Sequence, residues 1–416
     1  MRSPARPFLL AAFAFCSLCL APARIAAADA SPPLPDIQGA DPAVLAAARE
    51  RIRAGDTSLK PAFDRLLRDA EKALALKPAS VLDKTKIADS RDPHDYFSLG
   101  PYWWPDSAKP GGLPYIRRDG EVNPESKTGT DAPAFARTCK TVELLGLAYY
   151  FTGKTACAEK AAQLTRVWFL DPATRMNPNL TYAQGIPGRA ASRGTGILES
   201  RHLASLTDGL ALIDGSPAWT ADDRAAMRAW LETFYAWLTT SKNGRDEAAA
   251  ENNHGTWYDV QAAHLELALG KKEAALKRIK KQIPARVAAQ IKADGRQPHE
   301  LARTNSLGYS LFNLEALAAL AQLGERAGWP EGWSHAAKDG RGIRAALAYV
   351  APYIDPARTW PKKDLKPGDT DRIAPLLRAF LARQSDASLL ALYEKFGDTP
   401  ENKAARWQLL LPPPRK

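Results

Sequence analysis

Cysteine is scarce in this 416-residue chain. There are four, and two of them, Cys16 and Cys19, fall within the first twenty positions. Long apolar runs are rarer still. One runs from Phe8 to about Ala21, behind Arg2 and Arg6 and ahead of a small-residue stretch. No other approaches the ~18 residues that a membrane span needs. That order of charge, short apolar run and small residues predicts a secretory signal peptide over residues 1–30, cut after Ala23 or Ala30. The mature chain, 31–416, is therefore expected in the periplasm or outside the cell, with no membrane insertion. Only Cys139 and Cys157 remain in it. In an antiparallel hairpin of the runs 137–152 and 155–170 they would lie roughly 20 Å apart at ~1.5 Å per residue. A disulfide needs Cα atoms within ~7 Å, so two buried thiols are expected.

Several chemical signatures are missing as well. "HELAR" begins with His299 and Glu300, but Arg303 stands where a zinc helix needs its second histidine. The six histidines show no close ligand spacing. There is neither a G-x-S-x-G elbow nor a phosphate-binding glycine loop. No acidic pair for glycoside hydrolysis can be singled out. No metal and no cofactor is implied. Nucleic acid is disfavoured by export and by the absence of a basic run. A membrane-surface role lacks a Lys/Arg-rich amphipathic helix.

Positive charge is what the chain has in excess. The formal net charge is +11, and removing Arg2, Arg6, Arg24 and Asp29 with the leader lowers it to +9. Such an excess suits a polyanionic partner, because a positive cleft steers anions, although it also serves solubility. Hydrophobic residues make up 45% of the sequence, enough for a sizeable core.

Helical periodicity dominates. Stretches such as "FDRLLRDAEKALAL", "KTVELLGLAYYFTG", "GTGILESRHLASLTDGLALI", "ADDRAAMRAWLETFYAWLTTS" and "LGYSLFNLEALAALAQLG" carry apolar residues at three- and four-residue steps. Several stop at Gly153, Gly270 or Gly324. Period-two alternation is scarce. The pattern predicts an all-α chain of about ten to thirteen helices in a single domain. Helical hairpins in series point to a single incomplete (α/α) toroid, and no fixed repeat motif indicates a solenoid. Three interruptions, 91–136, 171–195 and 241–254, are too long and too aromatic for linkers, which marks them as functional loops lining a cleft.

The first loop offers Tyr102, Trp103 and Trp104 between prolines, followed by Arg117 and Arg118. Adjacent aromatics make a stacking platform for sugar rings, and arginines pair with carboxylates. The same residues would also serve simply to pin the loop. The second loop carries Asn179, Tyr182, Gln184, Arg189 and Arg193, polar groups suited to carbohydrate hydroxyls. The third leads into "ENNHGTWYDV". Asn252 or Asn253 suits an N-cap, but two amides plus His254 exceed what a cap needs. His254 shares a helix face with Tyr258, and Asn253 with Trp257. Further on, Arg303 and Tyr309 stand at the mouth of an apolar helix, where the tyrosine has an equally ordinary reading as core filling.

Together "DYFSLGPYWWPD", "GLPYIRRDGEVNPE", "NPNLTYAQGIPGR", "GTGILESRHL", "NNHGTWYDVQ" and "RTNSLGYSLFNLEAL" resemble the alginate lyase superfamily of helical-toroid polysaccharide lyases. Within it they are most similar to the branch acting on glucuronan and mannuronate-type alginate. The resemblance implies β-elimination on an acidic polysaccharide, with no cofactor. It assigns Tyr309 as the acid toward the departing O4, and as base too where H5 and O4 lie on one side of the ring. Asn253, His254 and Arg303 would hold the uronate carboxylate, with Arg303 stabilising the Tyr309 anion. Substrate contacts are expected from Tyr102, Trp103, Trp104, Arg117, Arg118, Asn179, Tyr182, Gln184, His202, Trp257, Tyr258, Glu300 and Asn305. A hydrolase on a related toroid, and a non-catalytic polyuronate-binding protein, remain the alternatives. Residues 325–416 offer helical pattern only.

Overall fold

The computed structural model describes residues 34–413, together with Met1. Apart from Met1, the expected leader lies outside the described residues. Helices α1 (Pro42–Arg53), α2 (Lys60–Leu74), α3 (Ala132–Thr152), α4 (Thr155–Thr165), α5 (Leu203–Leu212) and α6 (Ala221–Thr240) build the first half. Their boundaries follow local chemistry. Asp41 caps α1 by accepting from Ala43 N and Val44 N, with Pro42 in the first turn. Thr220 and Asp223 form a capping box at α6. Gly153, at φ 72°, ends α3 in the left-handed conformation that glycine tolerates best.

The second half follows with α7 (Lys242–Ala248), α8 (Asn253–Ala268), α9 (Lys272–Gln290), α10 (Pro298–Leu301) and α11 (Ser306–Ala327). It closes with α12 (Ile343–Val350), α13 (Ile373–Leu381), α14 (Ala387–Phe396), α15 (Pro400–Lys403) and α16 (Trp407–Leu410). Helix α3 packs on α4 and α5, and α8 on α9 and α11, so neighbours in sequence are neighbours in space. The result is the all-α incomplete toroid that the periodicity predicts.

Two apolar cores meet at α8. Tyr258, Ala262, Leu265 and Leu269 join the first, while Val260, Ala263 and Leu267 join the second. A helix covered on both sides must have its polar groups satisfied internally. Here Asp259 pairs with Arg286 at 2.8 Å and Glu266 with Arg278 at 2.7 Å. Ser200 donates to Gln261 at 2.6 Å, and Thr207 Oγ1 lies 2.8 Å from His264 Nε2. Helix α8 is therefore rigidly held, and whatever its N-terminus presents is held with it.

Three expectations are corrected. The segment 241–254 contains helix α7, started by Ser241, whose side chain accepts from Gly244 N at 3.0 Å. Helix α11 does not stop at Gly324 but runs on to Ala327 and ends at Gly328, φ 93°. Gly324 is a packing glycine, since a Cβ there would come within 2.8 Å of Trp329 O. The run beginning "GTGILESRHL" is a 3-10 turn series over Gly194–His202 before α5 becomes regular. The two cysteines are free and buried, as expected.

The long loops are tied down by short strands. β1 (Phe97–Leu99) pairs in parallel with β4 (Tyr182–Gly185), joining the first loop to the second. β2 (Trp103–Trp104) pairs antiparallel with β3 (Ile116–Arg117), folding the first loop on itself. The C-terminal region has a specific task too. Asn305 gives α11 no side-chain cap, and Asp364 takes that role by accepting from Leu307 N at 3.0 Å and Ser306 Oγ at 2.6 Å.

Candidate active site

A cleft of about 1170 Å³ opens where the two strand-pinned loops meet the N-termini of α8 and α11. It is lined by Tyr102, Trp103, Arg117, Gln184, His202, Asn253, His254, Arg303, Asn305 and Tyr309 among others. Residues separated by more than 200 positions thus share one wall system.

Tyr309, on the first turns of α11, is the most densely connected of them. Arg303 Nη2 donates to its hydroxyl at 2.8 Å, and that hydroxyl donates to Tyr102 Oη at 2.6 Å. The guanidinium also stands 3.8 Å from the Tyr309 ring centroid. Burial pushes the Tyr309 phenol well above its ordinary range, and the Tyr102 hydrogen bond pushes the same way, while Arg303 works against both. Arg303 acts toward the anion, but in the free cleft burial outweighs it and the phenol keeps its proton.

Arg303 is itself held by Asp119 through Nε at 3.0 Å and Nη2 at 2.7 Å. Burial alone would raise the Asp119 carboxyl, but the hydrogen bond and charge of Arg303 outweigh it and hold that carboxyl well below the usual range. Asp119 also accepts from Arg117 and Thr304, so one carboxylate ties the first loop to the base of α11.

On the α8 side the helix N-cap is Asn252, which accepts from His254 N at 3.2 Å. That releases Asn253 from capping. Its backbone N donates to Glu300 Oε1 at 2.8 Å and its Nδ2 to Glu300 Oε2 at 2.7 Å. One N–H of the amide is left over. Glu300 lies behind Asn253 rather than in the cleft wall, and burial raises its carboxyl. His254 Nδ1 lies 2.6 Å from Glu247 Oε1, a carboxylate that is itself buried. With the ring proton on Nδ1 toward that carboxylate, Nε2 presents a bare lone pair.

Other expected contact residues lie away from the cleft lining. Tyr258 is buried in the first core with its hydroxyl on Leu238 O. Trp257 packs against Phe312 at 5.0 Å and donates to Phe312 O, with its ring turned into the helix layer. Trp104 Nε1 donates to Glu121 O and Arg118 covers that ring, so both pin the loop. Asn179 caps its own turn by accepting from Thr181 N. Tyr182 belongs to β4 and does not line the cleft. Gln184, two residues on, does, and it holds a φ of 50° that non-glycine residues seldom adopt.

Sequence reasoning missed Glu247, Asp119, Glu199 and Arg201. Glu199 accepts from Tyr96 at 2.8 Å and Ser98 at 2.6 Å, and burial raises its carboxyl. His202 is expected and present, and burial followed by the charge of Arg201 lowers its imidazole to about 3, which keeps it neutral. No sequence motif sets Glu247 or Asp119 apart from the other carboxylates of the chain. Asp119 is recognisable only by its partner Arg303 across the fold, and Glu247 only by its contact with His254 of the next helix.

A toroid of helices here opens into an arginine-lined cleft that suits an acidic polysaccharide chain. A family model described as alginate lyase matches residues 80–360, and the chain belongs to that family. Its structure is similar to that of an alginate lyase from Bacteroides ovatus, 39% identical, with a TM-score of 0.86, covering 91% of this chain and 99% of that one. Alginate lyase A1-III from Sphingomonas species A1 shares the fold at 19% identity and a TM-score of 0.55, covering 89% and 95% of the two chains. A histidine-to-alanine variant of A1-III, complexed with a tetrasaccharide, aligns at 18% identity and a TM-score of 0.56 over the same shares. No curated protein matches the sequence significantly. Among the described residues no helix is long and apolar enough to cross a membrane.

Proposed function

We propose that this lyase acts on a 4-linked polyuronate, mannuronate-rich alginate or glucuronan, and cleaves it by β-elimination. The C5 proton of a uronate is too weakly acidic to leave while the adjacent carboxylate keeps its full charge. Hydrogen bonds and positive charge around that carboxylate stabilise the enolate-like intermediate. Asn253 contributes its uncommitted N–H, His254 its imidazole and Arg303 its charge.

A base takes H5, the electron pair forms the C4=C5 bond, the C4–O4 bond breaks, and O4 takes the Tyr309 proton. The protonated phenol suits the acid role directly. In mannuronate and glucuronate H5 and O4 lie on one face, so Tyr309 serves as base and acid in turn after losing its proton, which Arg303 favours. In guluronate they lie on opposite faces, and the bare Nε2 of His254 is the base. The observation that carries the reading is the Arg303–Tyr309 hydrogen bond in the same cleft as the Glu247-oriented His254.

A hydrolase needs two carboxyl groups facing one bond. Among the cleft-lining carboxylates, Glu199 is taken by Tyr96 and Ser98, Glu247 by His254 and Asp246 by Lys242. Action in the periplasm or outside the cell fits the leader-like residues 1–30 and the excess positive charge. The test is a panel of purified polymannuronate, polyguluronate and polyglucuronate, followed for the ultraviolet absorbance of a new C4=C5 bond. Reducing ends without that absorbance would establish hydrolysis instead, and binding with neither would leave a polyuronate receptor.

A further inference from the structure

The arginines of the cleft differ in what they are paired with. Arg303 is paired with Asp119, and Arg372 with Glu315 through bonds of 2.7 and 2.5 Å. Arg201 has no carboxylate in ion-pairing range among the described residues. Its Nη1 donates to Leu198 O at 2.9 Å, while Nε and Nη2 have no protein partner and keep access to the cleft. The nearest carboxylates are already committed, Glu199 to Tyr96 and Ser98, and Glu315 to Arg372. Burial lowers its guanidinium pKa, the mark of a cation withdrawn from water without a counterion.

Its place along the wall is defined by Phe312. Arg201 stands 5.8 Å from that ring centroid and Arg372 5.9 Å. Phe312 follows Tyr309 by three residues on α11, about 4.5 Å along the axis at ~1.5 Å per residue. Arg201 therefore stands against the wall about one helical turn beyond Tyr309. A half-buried cation is unfavourable unless an anion completes it, and a polyuronate carries one carboxylate per unit.

We propose that Arg201 binds the carboxylate of the uronate unit next to the one being cleaved, against the apolar floor of Phe312. This rests on the polyuronate reading above. Arg201 then reads charge one unit away from the chemistry and selects a continuous run of uronates over a chain interrupted by neutral sugars. Its donors reach no atom of the Tyr309 assembly, so its contribution falls on binding.

The test uses the full-length protein and its Arg201→Gln and Arg201→Lys variants, each checked for an unchanged melting profile. On the polyuronate that the wild type cleaves fastest, Arg201→Gln is expected to raise KM about 10- to 100-fold with kcat within about twofold, as for a lost charge-assisted hydrogen bond. Arg201→Lys should recover part of that loss. Affinity for a tetrauronate, measured in a Tyr309→Phe background, should fall equally and depend less on salt. The carboxyl-reduced tetrasaccharide should bind both proteins alike. Unchanged KM and affinity, or an equal loss for the carboxyl-reduced ligand, overturns the assignment while leaving the lyase reading intact. A wild type that acts on no polyuronate overturns both.

Discussion

Glu247 Oε1 lies 2.6 Å from His254 Nδ1, and this single contact decides which face of the imidazole the substrate meets. The carboxylate is buried on α7 and the histidine reaches the cleft from α8, so their contact also locks two helices together. Glu247→Gln keeps the size of the side chain but lets an amide N–H face Nδ1, which favours the opposite tautomer. A fall in kcat/KM of about 10²-fold is expected, in the range of general acid–base effects. The accompanying change in the pH profile separates loss of the tautomer from simple loosening. A variant with wild-type rate and profile would remove Glu247 from any orienting role.

Tyr309→Phe is the sharpest test of the acid. The ring stays and Asp119 still holds Arg303, so the melting temperature should shift by only a few degrees. Turnover should fall by at least ~10²- to 10⁴-fold on every polyuronate, because proton delivery to O4 is lost whichever group takes H5. Tetrasaccharide affinity should persist. Retained turnover with intact folding would assign the acid elsewhere.

Much of this site was legible in the sequence because it sits where helices begin. The polar excess of "ENNHGTWYDV" and the Arg303–Tyr309 spacing both mark helix starts facing a cleft. What escaped detection were carboxylates defined by a partner that only the fold brings into contact. Asp119 pairs with Arg303 across 184 residues, and nothing local distinguishes it from any loop aspartate. Glu247 lies in a short helix whose Gly244 and charged residues read as loop. Conversely, Tyr258 and Trp257 share helix faces with His254 and Asn253, yet α8 is buried all round, so face-sharing did not mean cleft-sharing. The fold itself followed periodicity, which tertiary packing reinforced rather than overrode.

The thiols of Cys139 and Cys157 should be chemically silent. Cys139 and Cys157 are free and buried, and burial pushes both thiols up, away from the reactive thiolate. A thiol reagent should therefore label neither in the native protein and both after denaturation, and reductant should leave the melting temperature unchanged. Protection of both thiols against labelling in denaturant without reductant, lifted by reductant, would reveal a disulfide between them.

Asp119 ties stability to the site. Its carboxyl is depressed in the folded state chiefly because Arg303 overcomes the effect of burial. A depressed folded pKa stabilises above the ordinary carboxylate value near ~4, and that stabilisation is lost as pH falls through the folded value. Asp119→Asn should thus be less stable than wild type by roughly 1–2 kcal/mol at neutral pH, the scale of a charged hydrogen bond. The gap should narrow as pH drops below ~4 in denaturant titrations. It should also lower kcat, since Arg303 loses its anchor. A gap that is constant with pH would mean that the carboxylate charge is not what matters.

Tyr102 offers a way to separate the acid and base duties of Tyr309. Its hydroxyl accepts the Tyr309 proton in a 2.6 Å hydrogen bond, which stabilises the neutral phenol and helps burial to raise its pKa. Tyr102→Phe removes that acceptor, so the Tyr309 pKa should fall while the Arg303 contact stays in place. Where Tyr309 must first be deprotonated, on mannuronate or glucuronate, kcat/KM rises with pH toward the phenolate. That rise should move to lower pH in the variant. On guluronate, where the protonated phenol is the working form, the same fall in pKa should bring the alkaline decline to lower pH. Opposite consequences from one substitution, read as two pH profiles on two epimeric substrates, are the signature of a phenol that changes duty with the face of the ring. An alkaline decline on both substrates, with no rise toward the phenolate on mannuronate or glucuronate, would assign the base to His254 throughout.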